Sequence, residues 1–216
     1  MYNVILFDLD GTIIEPAEGI TNSVAYALSK FGITVADRSE LYKFIGPPLV
    51  PAFIKFYGFD EEQAKLAVKY YRENFQSKGI YENELYKGVK ELLKRLKENK
   101  KTVALATCKP DVFAHEILKY HGITEYFDFV GGASWDYIRS TKSQVIAYTL
   151  ENLKINDLSE VVMIGDREND ITGAKQNGID SIGVLYGYGD IDEHKSAGAT
   201  YIAESVSDVT SIVFGS

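Results

Sequence analysis

Five short apolar runs punctuate the chain, at Val4–Phe7, Val103–Ala106, Phe127–Val130, Val161–Ile164 and Ile182–Leu185. Each is short enough for a buried strand and too short for a core helix. Amphipathic helical spacing fills most of the gaps: Val89, Leu92, Leu93 and Leu96; Val112, Phe113, Ile117 and Leu118; Val145, Ile146, Tyr148 and Leu150. Strands alternating with helices imply an α/β fold with a mostly parallel sheet covered on both faces.

The stretch from about residue 15 to residue 80 breaks this rhythm. Ile20, Val24, Ala27, Leu28 and Phe31 follow helical spacing, and Asp60-Glu-Glu-Gln63 reads as a capping box opening a helix with Ala64, Ala67, Val68, Tyr71 and Phe75 on one face. Gly46-Pro47-Pro48 reads as a turn between two further helical pieces. The expected organisation is a helical domain at 15–80 inserted into an α/β core formed by 1–14 and 81–216. Extra helices packed on a single domain are the alternative.

Chemistry-bearing residues stand where the runs end. Asp8-Leu-Asp10-Gly11-Thr12 follows the first run, so two carboxylates project from the end of a strand, the edge where open α/β sheets bind ligands. Gly11 permits a tight turn, and Thr12 can bond its backbone. An acidic turn with no other role has the same composition. Gly165-Asp166 follows the fourth run in the same way, with Asp170 one helical turn further on. Asp8, Asp166 and the main-chain carbonyl of Asp10 can offer oxygens to one hard cation. Mg2+ suits a site with few protein oxygens, because it keeps waters and takes phosphate as a ligand. The competing reading makes Asp166 a helix cap and Asp170 a partner of the helix dipole.

Thr107-Cys108-Lys109-Pro110 ends the second run, where a hydroxyl and main-chain N–H groups near a helix start can cradle an anion. Cys108 does not read as the nucleophile of a cysteine phosphatase, since the arginine needed six residues later is absent and position 114 is Ala114. It is expected to contribute its N–H, with Lys109 as a further phosphate contact. Lys142 lies in a polar stretch where a lysine is ordinarily solvated. Its candidacy comes from the need for a cation beside an aspartate that attacks a phosphate dianion.

The formal net charge of -8 argues against nucleic-acid binding and demands that any phosphate be neutralised locally. No apolar stretch approaches the roughly 20 residues of a membrane span. The single Cys108 excludes an internal disulfide, and Met1 leads directly into a strand-like run without a signal-like leader, so the expected compartment is the cytoplasm.

Taken in order, Asp8-x-Asp10-Gly-Thr12, Thr107, Lys142 and Gly165-Asp166-xxx-Asp170 resemble the motifs of the haloacid dehalogenase (HAD) superfamily. Gly19-Ile-Thr-Asn-Ser-Val24, Phe44-Ile-Gly-Pro-Pro-Leu49, Gly173–Gly178 and Gly183–Gly189 are similar to its phosphoglycolate phosphatase-like and 5′-nucleotidase-like members. The departures are Cys108 in place of the frequent Ser or Asn, and Glu15-Pro16 in place of Asp-Ser.

The resemblance implies a Rossmann-like core with a C1-type helical cap, and a Mg2+-dependent phosphatase of small phosphorylated metabolites working as a monomer or homodimer. It implies Asp8 as nucleophile, Asp10 as general acid–base, and Asp8, the Asp10 carbonyl and Asp166 as metal ligands. Thr107, Cys108, Lys109 and Lys142 become phosphate contacts, with Thr12 and Asp170 in support. The cap is expected to read the leaving group, with Phe44 and Leu49 shaping the pocket if their loop faces it. The many tyrosines suggest base stacking, although Tyr70 and Tyr71 at helical spacing also read as packing.

A dehalogenase would not need Asp10. A β-phosphoglucomutase-type enzyme shares all these motifs, and nothing in the cap favours it. A response-regulator receiver lacks a helical insert and is shorter. A non-catalytic binding protein would have lost one of the carboxylates.

Overall fold

The computed structural model describes residues 2–135 and 138–215. Met1, from which a direct entry into the first strand was expected, and residue 216 at the expected domain limit lie outside them. The chain divides into two compact units, Met1–Glu15 with Leu85–Ser216, and Pro16–Glu84.

The first unit is built on a parallel six-stranded sheet. Its strands are β1 (Val4–Phe7), β4 (Thr102–Pro110), β5 (Phe129–Ala133), β6 (Val161–Gly165), β7 (Asp180–Val184) and β8 (Tyr201–Ala203), in the spatial order β5-β4-β1-β6-β7-β8. Two further short strands, β2 (Ile14–Glu15) and β3 (Glu84–Leu85), pair with each other. The six strands are linked through α4 (Val89–Glu98), α5 (Asp111–Tyr120), α6 (Lys142–Leu153), α7 (Glu168–Gln176) and α8 (Ile191–Ala197), and α9 (Val206–Phe214) follows β8. Every residue of β1 is buried, as a central strand covered on both faces requires. Val4 and Leu6 join Ala104, Ala106, Met163, Val145, Ile146 and Leu150 in one apolar core cluster. The chain winds one way from β1 to β4 and the other way to β6, so β1 lies at the topological switch point.

Several strand limits differ from the expected ones. β4 does not stop at Ala106; it continues with a register shift to Pro110, so Thr107, Cys108 and Lys109 lie on extended backbone, not in a turn. β5 starts at Phe129, beyond the expected Phe127, and carries Gly131 and Gly132. A Cβ at Gly131 would stand 2.1 Å from Thr149 Oγ1, and one at Gly132 would stand 2.5 Å from Asp111 Oδ1. Close packing therefore puts glycines where an apolar strand signal was sought. β7 begins at Asp180 and ends at Val184, one residue before the expected Leu185. β8 was not anticipated: of its residues only Ala203 is buried.

The second unit is helical, with α1 (Ala17–Ser29), a 3-10 segment at Arg38–Phe44, α2 (Leu49–Tyr57) and α3 (Glu61–Ser77). Asp60 caps α3 as its sequence indicates, accepting from Gln63 N at 2.8 Å while Gln63 Oε1 accepts from Asp60 N at 3.1 Å. Gly19 lets α1 come close to Gly79, whose carbonyl oxygen would stand 2.1 Å from a Cβ at 19. Ser23 Oγ donates to Gly19 O at 2.7 Å and to Asn74 Oδ1 at 3.2 Å, holding α1 to α3. Phe44 is buried among Phe53, Phe56 and Tyr57, which makes it a core residue of this unit and not a pocket wall. Tyr71 stacks on Phe75 and Tyr70 packs edge-on against Phe31, so the packing reading of these tyrosines holds.

Candidate active site

The carboxyl ends of β1 and β6 bring Asp8, Asp166 and Asp170 together, with one carboxylate oxygen from each lying within 4.8 Å of the others. The turn after β1 is held by its main chain: Gly11 N donates to Ile14 O at 2.8 Å and Ile13 N to Leu9 O at 2.9 Å. The bond expected from Thr12 to this backbone is not formed, because its buried Oγ1 has no hydrogen-bond partner. Thr12 N instead donates to Leu9 O at 3.3 Å.

Lys142 is the first residue of α6, not part of the polar stretch before it, and it is buried. Its Nζ lies 2.7 Å from Asp8 Oδ1, 2.7 Å from Asp170 Oδ1 and 3.0 Å from Ala106 O. Burial alone would lower its pKa, but the Asp170 and Asp8 charges more than offset this and hold the ammonium charged. Asp170 is further fixed by Arg167 N, which donates to its Oδ2 at 3.1 Å, while its raised pKa of about 6 comes first from burial. The cap reading of Asp166 does not fit, since Arg167 is the N-cap of α7; Asp170 does lie in the first turn of that helix and meets the Arg167 N–H, but it is paired with Lys142 as well.

Asp166 is nearly inaccessible, and burial, then the charges of Asp170 and Asp8, push its pKa well above the usual carboxylate range. Tyr188 N donates to Asp166 Oδ2 at 2.8 Å, whereas Oδ1 is buried without a hydrogen-bond partner. A cluster of three carboxylates with one ammonium against it is short of positive charge, and an orphaned carboxylate oxygen faces that deficit. Hard oxygen donors with this charge balance fit a divalent cation such as Mg2+.

Glycines make the approach to Asp166 possible. A Cβ at Gly11, which has φ of +81°, would stand 2.1 Å from Asp166 Oδ2. One at Gly187 would meet Asp166 Cβ at 2.4 Å, and one at Gly189 would meet Asp166 O at 2.0 Å. The Gly187-Tyr188-Gly189 loop thus wraps Asp166, a role that composition and periodicity alone do not mark. Tyr188 also donates its hydroxyl to Glu15 Oε1, and Tyr186 donates to Thr12 O at 3.2 Å.

Thr107 is buried, and its Oγ1 accepts from Lys109 N at 3.2 Å, which leaves the hydroxyl proton to donate elsewhere. Cys108 is half-buried and its thiol is pushed up to about 11 by burial, so it is not an activated nucleophile. Lys109, expected as a phosphate contact, reaches the side chain of Asp10, with Nζ 2.8 Å from Oδ1 and 2.6 Å from Oδ2.

A parallel sheet wound both ways from β1, with its acidic residues gathered at the carboxyl ends of β1 and β6, defines the class as a Rossmann-like α/β enzyme. The sequence pattern of the haloacid dehalogenase-like hydrolases matches residues 5–184, and the chain belongs to that family. A 5′-nucleotidase of Pseudomonas aeruginosa is 43% identical over 200 residues, covering 93% of this chain and 90% of that protein. The tyrosine-protein kinase PtkA of Mycobacterium tuberculosis is 36% identical over 190 residues, covering 88% of this chain and 64% of that protein. Among solved structures, one described as a predicted phosphatase from Clostridium acetobutylicum superposes with a TM-score of 0.95 at 47% identity, covering 100% of both chains. Within the family the chain falls among the phosphatases, hydrolases of phosphoric monoesters. Among the described residues no helix is long and apolar enough to cross a membrane.

Proposed function

We propose that the protein is a Mg2+-dependent phosphatase of small phosphate monoesters working through an aspartyl-phosphate on Asp8, with a nucleoside 5′-monophosphate as the favoured substrate and phosphoglycolate as the alternative. The observation that carries this reading is the 2.7 Å pairing of Asp8 with buried Lys142, inside a carboxylate cluster that calls for a cation.

Asp8 attacks phosphorus in line, forming an O–P bond as the bond to the leaving alcohol breaks. Asp10 gives the departing oxygen a proton, then takes one from the water that opens the acyl phosphate. Lys142 is paired with Asp8 and offsets its repulsion from the phosphate dianion. Asp170 holds Lys142 in place, and Thr107 Oγ1 and the Cys108 N–H serve as donors to phosphoryl oxygens. Asp8, Asp166 and the Asp10 carbonyl would hold Mg2+, which when bound neutralises charge on the transferring group. The nucleotide preference rests on the relative named 5′-nucleotidase.

The test is hydrolysis of p-nitrophenyl phosphate with and without Mg2+, followed by a panel of nucleoside monophosphates, phosphoglycolate and hexose phosphates ranked by kcat/KM. Activity should require Mg2+ and vanish in Asp8→Asn. Wild-type turnover by that variant would exclude the covalent route. Transfer from ATP to a tyrosine peptide without monoester hydrolysis would overturn the phosphatase reading.

A further inference from the structure

Lys109 reaches its partner across the sheet from β4, and both sit in a protected place. Its side chain is 6% exposed, against 17% for that of Asp10. Removing an ammonium from water is costly, so a buried lysine must be matched by close partners. Here both oxygens of one carboxylate face Nζ, at 2.8 and 2.6 Å.

The terminal torsion of an aspartate is otherwise broad. A cation on both oxygens selects one orientation of the carboxylate plane. Lys142 meanwhile is engaged by Asp8 and Asp170. The two lysines therefore divide the two aspartates of the β1 turn between them, Lys142 on Asp8 and Lys109 on Asp10.

We propose that Lys109 is the positioning residue of Asp10: it holds the carboxyl group in one orientation, and one oxygen leaves Nζ to carry the proton that the leaving group receives, so Lys109 acts on leaving-group protonation and not as a phosphate ligand in its own right. The inference rests on the acid–base assignment of Asp10 made above. A proton donor displaced by about 1 Å can lose on the order of a hundredfold in rate. That loss should depend on how much the leaving group needs a proton. Loss of a phosphate contact would instead affect every monoester alike.

The experiment compares Lys109→Met, Asp10→Asn and the double variant at saturating Mg2+ on two substrates. p-Nitrophenyl phosphate releases a stable phenolate, whereas glycerol phosphate releases an alkoxide that must be protonated. Lys109→Met should lower kcat for glycerol phosphate by roughly ten- to a hundredfold, the range of general acid catalysis, and for p-nitrophenyl phosphate only severalfold. KM should change little. In the Asp10→Asn background the same substitution should have no further effect, since residues that act as one unit are not additive.

Equal losses on both substrates, a raised KM and full additivity with Asp10→Asn would overturn the proposal and make Lys109 a phosphate ligand. Unimpaired glycerol phosphate hydrolysis by Asp10→Asn would remove the acid–base reading itself, and the proposal with it. If Asp10→Asn is impaired and Lys109→Met is not coupled to it, only the Lys109 assignment fails. Should Lys109→Met not fold, Lys109→Gln decides by the same measurements.

Discussion

Gly173 on α7 lies against the stem of Lys142, so that a Cβ at 173 would stand 2.9 Å from Lys142 Cγ and 3.1 Å from Ser143 N. The lysine can enter the site only because its neighbouring helix carries no side chain there. Gly173→Ala should therefore act on catalysis more than on folding. Alanine favours a helix over glycine by about 1 kcal/mol, which offsets much of the crowding. We expect an unfolding free energy within about 1 kcal/mol of wild type and a kcat reduced at least severalfold. Urea unfolding and steady-state kinetics check both; wild-type kcat would show that Lys142 accommodates the methyl group without moving.

The raised pKa values of Asp166 and Asp170 predict how stability varies with pH. Burial is the first cause for each, followed for Asp166 by neighbouring negative charge. The folded protein then keeps protons that the unfolded chain releases above about pH 4. Their contribution to stability is present at low pH and is lost as pH rises through about 6 for Asp170, and through the raised pKa of Asp166. In EDTA, Asp166→Asn should flatten this slope and raise the melting temperature at neutral pH. Thermal melts of both proteins from pH 5 to pH 8 test it, and identical slopes would count against it.

The same variant tests the cation site without measuring activity. A ligand at a hundred times its Kd stabilises by about 2.7 kcal/mol. For a chain of this size that is roughly 5–10 °C. Mg2+ should produce such a shift in the wild type and little or none in Asp166→Asn. An equal shift in both would place the ion elsewhere.

The readable parts of the site were those with a local signature. Asp8 and Asp166 each follow a buried apolar run, so strand, edge and carboxylate are written within a few residues. Lys142 has no such mark: its burial depends on Gly173 on another helix and on two carboxylates from two other elements. The pairing of Lys109 with Asp10 has no local mark either, because the two lie 99 residues apart. β8 escaped notice because one buried alanine makes no pattern, and β5 was displaced because its glycines serve packing with Thr149 and Asp111. The capping box of α3 was legible because it is wholly local.

Gly187 gives a prediction for the loop around Asp166. A methyl group there would meet Asp166 Cβ at 2.4 Å and the main-chain oxygen of Gly11 at 2.3 Å, and backbone cannot yield as a side-chain tip can. Gly187→Ala should cost about 1–3 kcal/mol in urea unfolding, as overpacking does. It should also weaken the Mg2+-induced thermal shift. Tyr188→Phe is the control, since it keeps the N–H that holds Asp166 and loses only the hydroxyl bonded to Glu15. If both variants weakened the Mg2+ shift equally, the backbone contact would not be what matters.

Lys142 allows the charge balance to be tested by addition and removal. In EDTA, Lys142→Met leaves the Asp8, Asp166 and Asp170 cluster without the ammonium that bridges two of its carboxylates. Breaking a buried ion pair by removing one partner costs about 3–5 kcal/mol. The carboxylates can relieve part of this by taking up protons, so the low end is expected at neutral pH and less below it. Adding Asp170→Asn removes one of the stranded charges and should recover part of the loss. Activity should not return, because Asp8 would still face a phosphate dianion without its cation. Urea unfolding of the two single variants and the double variant gives the coupling energy. Additive destabilisation would mean that the Lys142–Asp170 pairing contributes nothing to the fold, and that Asp170 supports the site through Arg167 N alone.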